Sequence, residues 1–151
     1  MGRTVSDMTP AVGYTEMKDS DIGWVGEIPK EWNINVLFQL VSQVKNKNKD
    51  LVETNLLSLS YGKIKRKNID HTDGLIPASF DGYNIIEDGD IVLRLTDLQN
   101  DQTSLRVGRA TERGIITSAY TTLRPVNFKT SKFIYYLLHA FDIRKGFYGM
   151  G

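Results

Sequence analysis

The sequence predicts an α+β fold: a mixed or antiparallel sheet, an irregular N-terminal segment and a few short helices. Three observations carry this. β-branched runs recur at 83–86, 91–95 and 115–123, with shorter candidates at 55–59 and 105–107. Glu87-Asp88-Gly89-Asp90 joins two of these runs with the composition of a tight turn, in which Gly89 supplies a positive φ. One clear helical stripe follows near the end of the chain, formed by Phe133, Ile134, Leu137, Leu138 and Phe141 and capped by Thr130 or Ser131.

Along the chain, residues 1–13 are polar, small and aperiodic, and read as a disordered or appended tail ahead of a domain spanning 14–151. Tyr14, Ile22, Trp24, Val25, Ile28 and Trp32 then crowd large side chains between acidic residues and Gly23, Gly26 and Pro29. That spacing suits neither helix nor strand, so an irregular segment pinned onto a core by its aromatics is expected. Residues 33–36 read as a short strand leading into a helix over 37–44, because Leu37, Leu40, Val41 and Val44 keep helical spacing. Lys45-Asn46-Lys47-Asn48-Lys49 is a polar basic loop. A strand over 55–59 breaks at Tyr61-Gly62, and 63–67 continues as a basic ribbon edge or loop. The last strand, 115–123, is closed by Arg124-Pro125.

A chain of 151 residues, 40% apolar and 25% charged, is long enough for one domain with a buried core. It has no cysteine, which excludes disulfides, thiolate zinc sites and cysteine nucleophiles and suits a reducing compartment. No apolar run is long enough to span a bilayer, and 1–13 lacks the basic-then-apolar order of a secretory signal, so a cytoplasmic protein without a membrane partner is expected. The net charge of +1 conceals a block pattern. Residues 32–67 hold seven basic and two acidic side chains, and 106–151 hold eight and two, against net −3 over 1–31 and −7 over 68–105. If the two basic blocks meet on one face they suit a polyanion; if they mix over the surface they cancel.

Three stretches carry a family resemblance. Tyr14, Lys18, Ser20, Ile22, Trp24, Gly26, Ile28, Pro29 and Trp32 stand at fixed spacing; Gly89-Asp90-Ile91-Val92 opens a strand; and Gly114-Ile115-Ile116-Thr117 leads through Ala119 and Leu123 to Pro125, with a helix over 133–138 behind it. Together these resemble the first target-recognition domain of type I restriction-modification specificity subunits, with Glu16-Met17 and Val25 as mild departures. The resemblance covers 14–151, and the first stretch is its most specific part. It implies a non-catalytic module that reads one half of a split double-stranded DNA target. Methylation and cleavage would reside in methyltransferase subunits and a motor-nuclease subunit. It also implies a long helix and a second domain beyond Gly151, and no cofactor bound by this chain itself.

Reading sequence needs side chains that reach base edges and cations that hold phosphates. Ser60, Tyr61, Lys63, Lys65, Arg66, Lys67 and Asn68 offer both. In an extended ribbon Lys63, Lys65 and Lys67 share one face and suit phosphates, leaving Arg66 for guanine and Asn68 for adenine on the other. The alternative is a solvated hairpin whose charges keep an edge strand from aggregating. Arg106, Arg109 and Arg113 form a second set, suited equally to DNA or to ion pairs with Asp97, Asp101 or Glu112. Lys45, Lys47 and Lys49 read as a solvated loop. Asp70-His71-Thr72-Asp73 has metal-ligand residue types but no second histidine nearby, and reads as an exposed turn. A two-metal nuclease through Asp90 and Asp97 competes with a local role for Asp90 at a strand start, and His139 reads as a packed or surface histidine. A protein-docking domain that touches no DNA is the main competing function.

Overall fold

Ile91, Val92 and Leu93 are wholly or almost wholly buried in the computed structural model, which describes residues 16–68 and 78–149, and the main sheet is built around them. The strands are β1 (Met17–Asp19), β2 (Glu27–Pro29), β3 (Val41–Gln43), β4 (Leu57–Ser60), β5 (Lys63–Arg66), β6 (Asn84–Ile86), β7 (Ile91–Leu93), β8 (Val107–Arg109), β9 (Gly114–Ile116) and β10 (Thr121–Pro125). Among the described residues two α-helices, α1 (Leu37–Leu40) and α2 (Ser131–Ile143), and several single 3-10 turns complete the α+β fold. The tail over 1–13, Tyr14 and the Asp70–Asp73 turn lie outside the described residues. Among the described residues no helix is long and apolar enough to cross a membrane.

The chain divides between Val36 and Leu37 into two compact units. In the first, the segment expected to be irregular contains a small antiparallel hairpin, β1 on β2, with Lys18 opposite Ile28. Ser20 is buried at its turn, where its hydroxyl accepts the Ile22 amide at 3.1 Å and its own amide donates to Gly26 O at 2.9 Å. Gly26 takes φ +72, open to glycine at no steric cost. Strands of three residues are too short to leave a period-two signature in sequence.

In the second unit β3, β10, β7 and β8 form one antiparallel sheet in that order, while β6 pairs β9 and β4 pairs β5. The helix expected over 37–44 is a single turn, and 33–36 form no strand. Val41, Ser42 and Gln43 extend instead and pair with β10, so an available sheet edge outweighs a modest helical pattern. The strand over 115–123 breaks into β9 and β10 at a turn where Thr117 Oγ1 accepts the Ala119 amide. The candidate over 105–107 moves forward to 107–109.

Glu87-Asp88-Gly89-Asp90 does turn the chain, with Gly89 at φ +91, but it joins no hairpin. β6 pairs with β9 while β7 pairs with β10 and β8, so the turn passes the chain between two sheets. Gly89 N and Asp90 O bond the backbone of Ala110, which holds the turn against the start of the next loop.

One core cluster, including Val41, Ile91, Leu93, Val107, Ile134 and Leu138, lies between the main sheet and α2. A second gathers Leu57, Ile86, Val92, Ala110 and Ile116. The α2 stripe is only partly the expected one: Ile134 and Leu138 are buried, whereas Phe133 and Leu137 are 53% and 39% exposed. Ser131 and Asp142 are buried in their place, each satisfied by hydrogen bonds. Neither Thr130 nor Ser131 caps α2 with its side chain; Asn127 caps the preceding 3-10 turn by accepting the Lys129 amide at 3.0 Å. Ser131 Oγ donates instead to Gly89 O at 2.6 Å.

Gly114 marks a close approach. A Cβ there would lie 2.6 Å from Asn55 O, a backbone atom that cannot swing aside. Gly114→Ala is expected to destabilise the domain by about 1–3 kcal/mol, as overpacked cores do. A thermal melt or a denaturant midpoint reads this directly, and an unchanged midpoint refutes it.

Candidate nucleic-acid interface

Tyr61 and Gly62 have φ of +51 and +73, so β4 and β5 are joined by a two-residue loop with both central residues left-handed. Ser60 opposes Lys63 across it. Glycine fits the second position because a Cβ would press on Leu105 Cδ1 at 3.2 Å. Tyr61 stands at the tip, 86% exposed. Leu59 and Ile64 face inward over Gly108, where any Cβ would meet Leu59 Cδ1 at 2.6 Å and Ile64 Cδ1 at 3.0 Å. That inward face turns Lys63 and Lys65 out, and Lys67 follows them at period two, its amide donating to Leu56 O. Asn68 is also exposed.

The arginines behave differently from the lysines. Arg66 forks onto Glu112, with Nε 2.8 Å from Oε1 and Nη2 2.6 Å from Oε2. Arg113 bridges Glu53 at 2.9 Å and Glu87 at 2.5 Å. Arg109 donates from Nε to Ser131 Oγ at 2.8 Å, lies 4.0 Å from Asp88, and sits 5.9 Å over the Phe128 ring. Arg106 corrects the expectation most sharply. It is fully buried, with its guanidinium directed at main-chain carbonyls, so it offers no surface for DNA. In the free protein, the forks of Arg66 and Arg113 are engaged by carboxylates and not held open for bases.

These ion pairs shift proton affinities in matched directions. The Arg66 hydrogen bond holds Glu112 below its usual 4.5, and Glu112 in turn raises Arg66. For Glu53, burial pushes the carboxyl up, but hydrogen bonds from Asn55, Arg113 and Thr54 outweigh it and the net shift is down from 4.5. Carboxylates with lowered values stabilise the fold above their usual range and lose that contribution as pH falls through their depressed values. Stability is therefore expected to hold from neutral pH down to about 4.5 and to fall below it. Urea midpoints measured across that range check this; in Glu112→Gln the acid-side decline should be shallower.

Alongside the hairpin runs a cleft of about 260 Å³, lined by Lys63, Arg109, Thr111, Lys132, Tyr135 and Tyr136. Tyr135 Oη donates to Gly62 O at 3.2 Å and ties α2 to the hairpin tip. Burial pushes the Tyr135 hydroxyl up from 10.0, so it stays a donor through neutral pH. Lys63 and Lys132 make no ion pair among the described residues. On the other side of the hairpin a second cleft, about 400 Å³, brings Ser60 and Tyr61 opposite Arg94, Thr103 and Ser104.

Of the ten candidate residues, then, Lys63 and Arg109 share one cleft, Ser60 and Tyr61 border another, and Lys65, Lys67 and Asn68 lie exposed along the ribbon. Arg66 and Arg113 are paired, and Arg106 is interior. Lys132, Tyr135 and Tyr136 were missed by sequence reasoning; they fall between the apolar stripe positions of α2, which is where an outward-facing aromatic beside a lysine would be sought. Lys47 donates to Gly82 O at 3.0 Å, consistent with a loop role. The His139 ring stacks on Tyr135 with centroids 5.8 Å apart. The Asp90 carboxylate accepts from the Glu87 amide and from Arg124. Among the described residues no group of three His, Asp or Glu side chains is placed to hold a metal ion. Compared with known proteins, the chain matches no family model and no curated sequence.

Proposed function

We propose that this chain is a DNA-sequence-reading domain of the kind found in type I restriction-modification specificity subunits. In this reading it recognises one half of a bipartite DNA target, and methyltransferase and motor-nuclease subunits supply the chemistry. One observation carries the DNA reading: Lys63 of the first basic block and Arg109 and Lys132 of the second line a single cleft beside an exposed hairpin. Cations from blocks far apart in sequence thus converge, and a polyanion is the ligand such convergence suits. Tyr61 at the hairpin tip and Tyr136 in the cleft add exposed aromatic faces. A second reading, docking of a protein partner, draws on the outer face of α2, where Phe133, Tyr136 and Ile143 are more than half exposed.

The test is titration of labelled duplex at two salt concentrations. Phosphate contact makes affinity fall steeply with salt, with a log–log slope of about −0.9 for each phosphate neutralised. The Lys63→Ala/Lys132→Ala variant is expected to bind roughly tenfold more weakly near 0.1 M salt and to flatten that slope by about 2. Affinity that ignores salt, or a double variant indistinguishable from the parent, removes the DNA reading and leaves protein docking.

A further inference from the structure

Arg106 is the largest fully buried side chain, yet its guanidinium makes no ion pair among the described residues. It donates instead to the carbonyls of Arg94 at 2.9 Å, Thr96 at 2.7 Å and Asp97 at 3.3 Å, to Asp101 O, and to Tyr148 Oη at 3.2 Å. The chain from 94 to 101 therefore bends around a single side chain. The loop's far end is closed by the Asp101 carboxylate, which accepts the amides of Thr103 at 3.2 Å and Ser104 at 3.0 Å and pairs with Arg94 Nη1 at 3.6 Å. Asn100 Nδ2 donates to Asp97 Oδ1 at 2.8 Å, and Lys145 Nζ donates to Gln102 O. An irregular loop is held in one shape by its main chain.

What this internal bonding leaves over is specific. Gln99 and Gln102 are exposed, and their side-chain amides make no hydrogen bond among the described residues. The same loop forms the wall opposite Ser60 and Tyr61 across the second cleft, through Thr103 and Ser104. Its charges are unsuited to phosphates: Asp97 and Asp101 are acidic, and the one cation, Arg94, is paired with Asp101. Amide groups are what base edges need, since glutamine can both donate to and accept from adenine in the major groove. A loop already ordered before binding loses little entropy when it engages.

We infer that residues 96–104 are a base-reading loop, with Gln99 and Gln102 meeting base edges and Arg106 as the positioning residue that holds them. This rests on the DNA reading above, and it moves sequence discrimination from the arginines 66, 109 and 113 to neutral amides beside the hairpin.

The experiment is selection of bound duplexes from a randomised pool by the purified chain, followed by sequencing, for the parent, Gln99→Ala, Gln102→Ala and Arg106→Lys. The parent is expected to enrich a short motif. Each glutamine variant should keep its affinity for unselected duplex and lose preference at one or two positions, by roughly tenfold to a hundredfold. Arg106→Lys should blur those same positions, again without loss of affinity for unselected duplex; a purely structural arginine would lower both together. If the glutamine variants enrich the parent motif unchanged, the loop does not read bases although the domain still binds DNA. If the parent binds no duplex at all, the DNA reading and this inference fail together. Should Arg106→Lys not fold, the two glutamine variants still decide the matter, because both positions are on the surface.

Discussion

Arg106→Leu is expected to lower the stability of the domain by about 3–5 kcal/mol, the range for removing one member of a buried, hydrogen-bonded charge network. The wild-type side chain is 0% exposed and saturates its donors with four carbonyls and a tyrosine hydroxyl. Burial of this cation is offset by the carbonyl dipoles that surround it, by the Tyr148 ring 5.1 Å from its centre and by the nearby negative charge of Asp101, although no carboxylate among the described residues pairs with it directly. Leucine removes every donor at once, and each carbonyl left dry adds roughly 1–3 kcal/mol unless water enters. Lysine keeps the charge but has three donors on a single atom and cannot reach carbonyls spread over the loop, so Arg106→Lys should recover only part of the loss. The melting temperature of Arg106→Leu should drop by roughly 10 °C or more for a chain of this size. If both variants melt with the parent, the guanidinium network does not support the loop.

Arg106 also shows where sequence stops informing. Its neighbours in the chain, Leu105 and Val107, do not distinguish a buried arginine from a surface one, and its partners lie up to 42 residues away at Tyr148. The pairs Arg66–Glu112 and Arg113–Glu53 span 46 and 60 residues, so a block count of charges assigns as open cations what the fold neutralises. Features with a local physical cause were legible. Gly89 does turn the chain, Tyr61-Gly62 does end a strand, the lysines of 63–67 do share an outward face, and α2 does carry Ile134 and Leu138 inward. Pairing was not legible. β6 and β7 are separated by four residues with turn composition, yet each is completed by a strand further along, because a β-branched run states that it will be buried but not beside what. The spacing of Leu37, Leu40, Val41 and Val44 fits a helix, and the vacant edge of β10 overrode it. Three residues of the proposed cleft, Lys132, Tyr135 and Tyr136, sit on a helix whose function in sequence looked wholly structural.

Removing Arg124 is expected to cost more than removing its partner Asp90, even though they form one ion pair. Asp90 is 1% exposed, and its carboxylate accepts from Arg124 Nε at 2.9 Å, Arg124 Nη2 at 2.8 Å and the Glu87 amide at 2.8 Å. The Arg124 side chain is 42% exposed. Without Asp90 the guanidinium can turn to water, and the remaining loss is the Glu87 amide and the turn it closes, about 1–3 kcal/mol for Asp90→Ala. Without Arg124 the carboxylate stays in the interior with only one backbone donor, and leaving a buried charge uncompensated costs about 3–5 kcal/mol. The pair ties the turn before β7 to the end of β10, just past the residues that pair with β7, so either loss loosens the strand contact that organises the main sheet. A double-mutant cycle isolates the interaction: Asp90→Ala made in the Arg124→Ala background should cost far less than in the parent, and can even stabilise it by removing the stranded charge. Denaturant midpoints for the four proteins give the answer. Equal costs for the two single variants, or additive costs in the double, would show that burial of Asp90 is not what makes this pair matter.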